Sequence, residues 1–320
     1  MKSISLFVPL LAAAYVSAHG FVSTITIDGK TFKGNRPSGS KSPSIIRQIS
    51  TQDPVKGANN AAVNCGPNAQ VASLVADAKP GSTITFDWTA ADLSNWPHNT
   101  GPMLTYMASC GSTSCDKFDS QNAKWFKIQQ VGKVNGDWAQ AKLKAGDAAS
   151  VTIPSTLASG NYLIRHEIIA LHLGTQKGGA EFYPSCAQLR ITGNEKGAPT
   201  ANELVSLPGA YSDNDPGIFD RSVYDRGATY VFPGPKIAAF VSGAAGSGSG
   251  SGSNSNTGNA SPSNDSPATP SATSSKPKPT GSCTLKKKIS ASVNAKVAAR
   301  TIRPRHISRV MRGLIAGHSQ

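Results

Sequence analysis

Acidic residues are scarce in this chain, with 18 Asp and Glu against 32 Lys and Arg in 320 residues. Asp87, Asp92, Glu167 and Glu181 are among them. No motif pairs two carboxylates as the acid and its partner, which glycoside hydrolysis by two carboxyl groups requires. Long apolar runs are equally rare. The one continuous run, "ISLFVPLLAAAYV" at residues 4–16, falls short of the roughly 20 residues that cross a bilayer. None of the five cysteines has C-x-x-C spacing, which argues against a structural zinc site. Few helical patterns compete with the strand-like ones, so a helical bundle is not indicated.

The short apolar run has a place of its own. Lys2 precedes it and the small residues Val16-Ser17-Ala18 follow it, the arrangement of a secretory signal peptide over residues 1–18. The expected product is a soluble, extracellular protein with no membrane span, whose first residue is His19. Cleavage there gives His19 a free α-amino group beside its imidazole, and the pair can chelate one metal ion through two nitrogens.

A single globular domain is expected over residues 19–240, because residues 241–282 are a Gly/Ser/Pro-rich, low-complexity linker that cannot bury a core. Asn259 and Asn264 in this linker begin N-glycosylation acceptor sequences. Residues 283–320 form a basic tail that reads as a disordered extension without chemistry of its own. Eleven Lys and Arg and one Asp fall in residues 241–320, so most of the formal charge of +14 belongs there and not to the domain. A nucleic-acid partner is therefore not expected. The tail also lacks the regular aromatics and paired cysteines of a small cellulose-binding module.

Five cysteines in a secreted chain imply disulfides with one thiol left over. Cys110 and Cys115 bracket "GSTS" and suit a local bridge, Cys65 and Cys186 would then join distant parts of the domain, and Cys283 stays unpaired. β-Branched or alternating segments at 21–27, 82–88, 150–154, 162–173 and 187–193 are separated by Gly- and Pro-rich turns. They predict an all-β sandwich of two antiparallel sheets with long loops, in which loop polar residues carry the function.

Two such residues stand out beside His19. "NWPHNTGPMLTYMASC" places His98 in a turn-rich loop ahead of a strand-like run, and "GGAEFYPSCAQLRITG" places Tyr183 just before a proline and a cysteine. Singly, each suits an ordinary surface histidine or packed tyrosine. Together, two imidazoles and an amine make a three-nitrogen set that suits tetragonal copper, with a phenol oxygen for an axial position.

In combination, "HGFV", "HNTGPMLTYMA", "YLIRHEIIALH", "GGAEFYPSCAQLRITG" and "LPGAYSDNDPGIFD" resemble a fungal lytic polysaccharide monooxygenase of auxiliary activity family nine, over residues 19 to about 235. The resemblance implies an immunoglobulin-like (fibronectin type III-like) β-sandwich with a flat substrate face, carrying one copper ion. It assigns copper to His19 (amine and ring) and His98, with Tyr183 axial. It places His172 as the polar group that orients the oxygen co-substrate, together with a glutamine whose position is Glu181 here, a departure from the pattern. A carboxylate accepts hydrogen bonds but donates none unless protonated. His166, evenly spaced from His172, is expected to be structural, and Tyr211 is a candidate for stacking on sugar rings. The implied reaction is oxidative cleavage of the β-1,4-glucan chains of cellulose at C1 and/or C4 by a monomeric enzyme, using O2 or H2O2 and an external electron donor. The competing expectation is a non-catalytic copper- or carbohydrate-binding protein of the same fold.

Overall fold

The computed structural model describes residues 18–242; the signal segment to residue 17, the linker sequons and Cys283 lie outside them. Eleven strands form in chain order: β1 (Gly20–Ile27), β2 (Lys30–Lys33), β3 (Ala76–Ala78), β4 (Thr83–Ala90), β5 (Met103–Ser109), β6 (Trp125–Val131), β7 (Lys133–Val134), β8 (Asp137–Trp138), β9 (Ala149–Thr152), β10 (Gly160–Ala170) and β11 (Glu181–Ile191). They build a four-stranded sheet, β2-β1-β4-β9, facing a five-stranded one, β3-β11-β10-β5-β6, with β7 and β8 as a small separate hairpin. The sandwich is antiparallel except at one edge, where β3 runs parallel to β11.

Alternation explains the packing. Val22, Ile25 and Ile27 of β1 and Ile84, Phe86 and Trp88 of β4 point inward. They meet Met107, Phe126, Ile164, Ile168, Ala187 and Leu189 of the larger sheet in one core. The outer face of the larger sheet is covered too: Leu104, Tyr106, Leu163, Ile169 and Phe182 pack beneath loops that bring Val55, Val63, Leu207 and Tyr211. Burial on both faces leaves β10 buried from Tyr162 to Ala170, with the polar Arg165, His166 and Glu167 included. The ionic pair it carries, Arg165 Nη2 to Glu167 Oε1 at 2.6 Å, is fully buried on the outer face under those loops.

Strand β10 ends at Ala170, three residues short of the expected limit, because Leu171 turns into a bend closed by the Gly174 amide donating to its carbonyl at 2.8 Å. His172 therefore lies in a turn. The even spacing that links it to His166 on one strand face does not apply. His166 points into the sandwich, where Trp88 Nε1 donates to its Nδ1 at 3.1 Å and its ring stacks on Phe86. At the other terminus the domain continues slightly past residue 240, in a helical turn over Ala239–Ser242 whose Phe240 and Val241 pack on the core.

Both expected bridges form: Cys65–Cys186 ties a loop to β11, and Cys110–Cys115 closes a local loop. No helix among the described residues is long and apolar enough to cross a membrane.

Candidate metal centre

Strand direction gathers one set of ends. Gly20 opposite Ala90, Met103 opposite Ile168 and Ala170 opposite Glu181 put the start of β1, the end of β4, the start of β5, the end of β10 and the start of β11 at the same pole of the sandwich. His19 precedes β1, His98 lies in the loop from β4 to β5, His172 follows β10, and Glu181 and Tyr183 open β11.

Two glycines hold the histidines in place. A Cβ on Gly20 would lie 2.1 Å from the Thr89 carbonyl oxygen, so the chain beside His19 comes as close to β4 as only glycine permits. Gly101, at φ +121°, abuts the Ile169 carbonyl in the same way, 2.0 Å from a hypothetical Cβ. The fully buried Trp96 is a wedge. Its ring stands edge-on to His98 at 5.4 Å and to Tyr183 at 4.9 Å.

Tyr183 Oη lies 3.3 Å from His98 Nε2 and donates to Glu181 Oε2 at 2.8 Å. The same carboxylate oxygen is 3.5 Å from His98 Nε2 and 3.8 Å from His172 Nε2, and the two imidazoles stack at 4.3 Å with planes 9° apart. The His19 ring is 6.4 Å from that of Tyr183, and its Nδ1 lies 3.2 Å from Asp53 Oδ1. Lys56 Nζ completes the cluster, 3.1 Å from Glu181 Oε1.

Electrostatics fix which groups carry protons. Burial, then the neighbouring His172, lowers the pKa of His98 to about 4 against the pull of Glu181, so its ring is neutral and offers a lone pair. Burial, then the Glu181 carboxylate, pushes the Tyr183 phenol well up, leaving it protonated at neutral pH. Burial raises Glu181, yet hydrogen bonds from Tyr183 and Lys56 and the lysine charge outweigh it and hold the carboxyl below its ordinary value. The His172 Nδ1 is buried without a hydrogen-bond partner.

The neutral His98 imidazole, the His172 ring and a phenol oxygen at one pole, with His19 at the start of β1, match the chemistry of a nitrogen-rich copper site. In the unprocessed chain the main chain of Ala18 hydrogen-bonds His98, so the residue that processing would remove stands among these donors. His98, His172, Glu181 and Tyr183 are thus in mutual contact, with His19 alongside.

Tyr211 is not with them. It is 4% exposed, its hydroxyl lies 2.9 Å from Tyr106 Oη and 2.8 Å from Glu167 Oε2, and its ring stacks on Phe182. The buried Glu167 needs these hydroxyls, and a tyrosine so engaged presents no face to a sugar. The exposed tyrosine beside the site is Tyr224, 62% exposed, which donates to the His172 carbonyl at 2.6 Å. Trp96 could have been noticed two residues before His98, whereas Asp53, Lys56 and Tyr224 come from distant loops and carry no local signal.

Comparison with known proteins gives the family. The model of Auxiliary Activity family 9, formerly GH61, matches residues 19–230. The AA9 family lytic polysaccharide monooxygenase D of Gloeophyllum trabeum is 57% identical over 240 residues, covering 74% of this chain and 69% of the relative. The AA9 family lytic polysaccharide monooxygenase B of Heterobasidion irregulare is 38% identical over 252 residues, covering 72% and 98%. Among solved structures, HiLPMO9B superimposes with a TM-score of 0.62 at 35% identity, covering 68% of this chain and 99% of that one. A cellulose-active polysaccharide monooxygenase from M. thermophila gives 0.61 at 34% identity, covering 68% and 98%. The chain therefore belongs to auxiliary activity family 9, the lytic polysaccharide monooxygenases, which are copper-dependent oxidoreductases.

Proposed function

We propose that this chain is secreted, is cut after Ala18, and would hold one copper ion through the His19 amine and ring and the His98 ring, with the Tyr183 hydroxyl beside them. The observation that carries this reading is His98: a half-buried, neutral imidazole 3.3 Å from the Tyr183 hydroxyl, at the pole where β1 begins. Copper, when bound, supplies the redox chemistry that draws electrons from an external donor and spends them on O2 or H2O2.

The chain's own side chains supply position and protons. His172 and Glu181 orient the oxygen co-substrate from the polar side of the site. Glu181 accepts from Tyr183 and so holds the phenol proton on its own carboxylate side. His172, with Nε2 toward Glu181 and Nδ1 otherwise unpartnered, is placed to give or take a proton at the reacting oxygen. Tyr224, not Tyr211, offers an exposed ring for a glucose face beside His172.

The proposed substrate is the β-1,4-glucan chain of cellulose, cleaved after oxidation at C1 and/or C4. It is supported by the 34% identical structure described as cellulose-active. A metal presented at the pole of a sandwich suits crystalline chains, since no strand has to be drawn into a cleft. The test is mass spectrometry of soluble sugars after processed, copper-loaded protein meets cellulose and ascorbate. Aldonic or 4-keto oligosaccharides are expected. Metal binding without oxidised products would replace this reading with that of a non-catalytic binding protein.

A further inference from the structure

We propose that Lys56 is a positioning residue of the copper site, which pins the Glu181 carboxylate and cancels its charge where the family resemblance calls for an amide. The proposal rests on the copper assignment above. Glu181 divides its two oxygens: Oε1 faces Lys56 Nζ at 3.1 Å, while Oε2 faces Tyr183 Oη, His98 Nε2 and His172 Nε2 at 2.8, 3.5 and 3.8 Å. The carboxylate side chain is 8% exposed, and an anion so enclosed requires a counter-charge. Of the three basic side chains within 4 Å, Lys56 is the one whose ordinary charge at neutral pH is full.

This is not a chance surface pair. The residue before Lys56 is stitched to β11 beside Glu181: Val55 N donates to the Phe182 carbonyl at 2.9 Å and Phe182 N to the Val55 carbonyl at 3.0 Å. Two residues after it, Ala58 N donates to Asp213 Oδ1 at 2.7 Å. The ammonium itself also donates to the Gly179 carbonyl at 3.1 Å, on the segment that leads into Glu181. Main chain thus clamps the lysine on both sides and aims it at one oxygen.

The consequence is electrostatic. With Lys56 in place the pair is neutral and the site keeps the charge an amide would give it. Without Lys56 a net negative charge stands near the metal and favours Cu(II) over Cu(I). Removing Lys56 alone leaves the Glu181 carboxylate, 8% exposed, without its cation, so Lys56→Met should lower the unfolding midpoint and the double variant should recover it.

The experiment measures Cu(II) and Cu(I) affinities by competition with chelators, on protein beginning at His19. Lys56→Met should raise the ratio of Cu(II) to Cu(I) affinity about tenfold, Lys56→Arg should restore it, and the double variant Lys56→Met/Glu181→Gln should return it to the parent's value. The unfolding midpoint of the apo forms serves as the control for folding. A ratio in Lys56→Met within twofold of the parent overturns the proposal, as does an equal rise in the double variant. Failure of the copper assignment itself would look different, since the parent would then lack a three-nitrogen Cu(II) spectrum.

Discussion

A histidine serves as a ligand only when it is unprotonated and held still, and His98 meets both conditions through burial and the edge of Trp96. His98→Ala should abolish the tetragonal Cu(II) signal and the oxidised products together; retention of either would remove His98 from the ligand set. Glu181→Gln should leave Cu(II) affinity within a fewfold, because it touches no proposed ligand bond, and should alter turnover, because an amide can donate where the carboxylate only accepts. Product release measured at equal copper loading checks this, and superimposable rates would withdraw Glu181 from oxygen handling. His166 makes a different prediction. Burial, then the Arg165 charge, lowers its pKa to about 3 in the folded chain, whereas the unfolded chain takes up the proton near pH 6.5. Its contribution is therefore intact above pH 6.5 and is lost as pH falls toward 3, by about 1.4 kcal/mol per unit. His166→Gln keeps an acceptor for Trp88 but not the titration. The stability gap between parent and variant should narrow by about 2.5 kcal/mol from pH 7 to pH 4.5 in urea titrations, and parallel curves would refute the assignment. At this scale His98 and Tyr183, which the structure brings within 3.3 Å, were singled out because their neighbours in sequence carry the pattern. Tyr211 misled because its partner, the buried Glu167, is unmarked in the local sequence.

Strands set where those residues stand. The alternation of β1 and β4 was plain, as were the apolar stretches on either side of the Arg165-His166-Glu167 centre of β10, but β11 starts six residues earlier than its apolar pattern suggests. Glu181 and Pro184 obscure it. Pro184 is tolerated because that half of β11 meets a full partner strand only on the β10 side, with single bridges from Ile46 and Val55 on the other. The β10 limit was overestimated for the converse reason: Leu171 and Leu173 continue the apolar pattern, while the turn closed by Gly174 ends the strand. The glycine beside His19 supplies the test at this scale. Gly20→Ala must push β1 away from Thr89 or strain the pair, so the domain should fold with a lowered unfolding midpoint and a Cu(II) affinity reduced about tenfold or more. Unchanged affinity in folded protein would show that the start of β1 does not position His19.

In the whole molecule, most of the formal positive charge lies in residues 243–320, outside the described residues. The described domain carries the proposed site and both disulfides, and its last turn, Ala239–Ser242, rests on the core. Removing residues 243–320 should therefore leave the unfolding midpoint unchanged within about 2 °C and weaken only low-salt adsorption to anionic surfaces, since most of the positive charge goes with them. A large fall in the midpoint would contradict the domain boundary. The boundary near residue 240 was expected because a core cannot be built from Gly, Ser and Pro. The loops over the outer face of the larger sheet were not, since their packing depends on partners over a hundred residues away, as in the bond from Asn64 to Leu207 at a separation of 143. The central claim is that processing creates the ligand. Its most direct test is the Cu(II) EPR spectrum of two otherwise identical proteins, one beginning at His19 and one retaining Ala18. The account predicts a tetragonal signal with coupling to three nitrogens in the first and its loss in the second. Identical spectra from the two would contradict it.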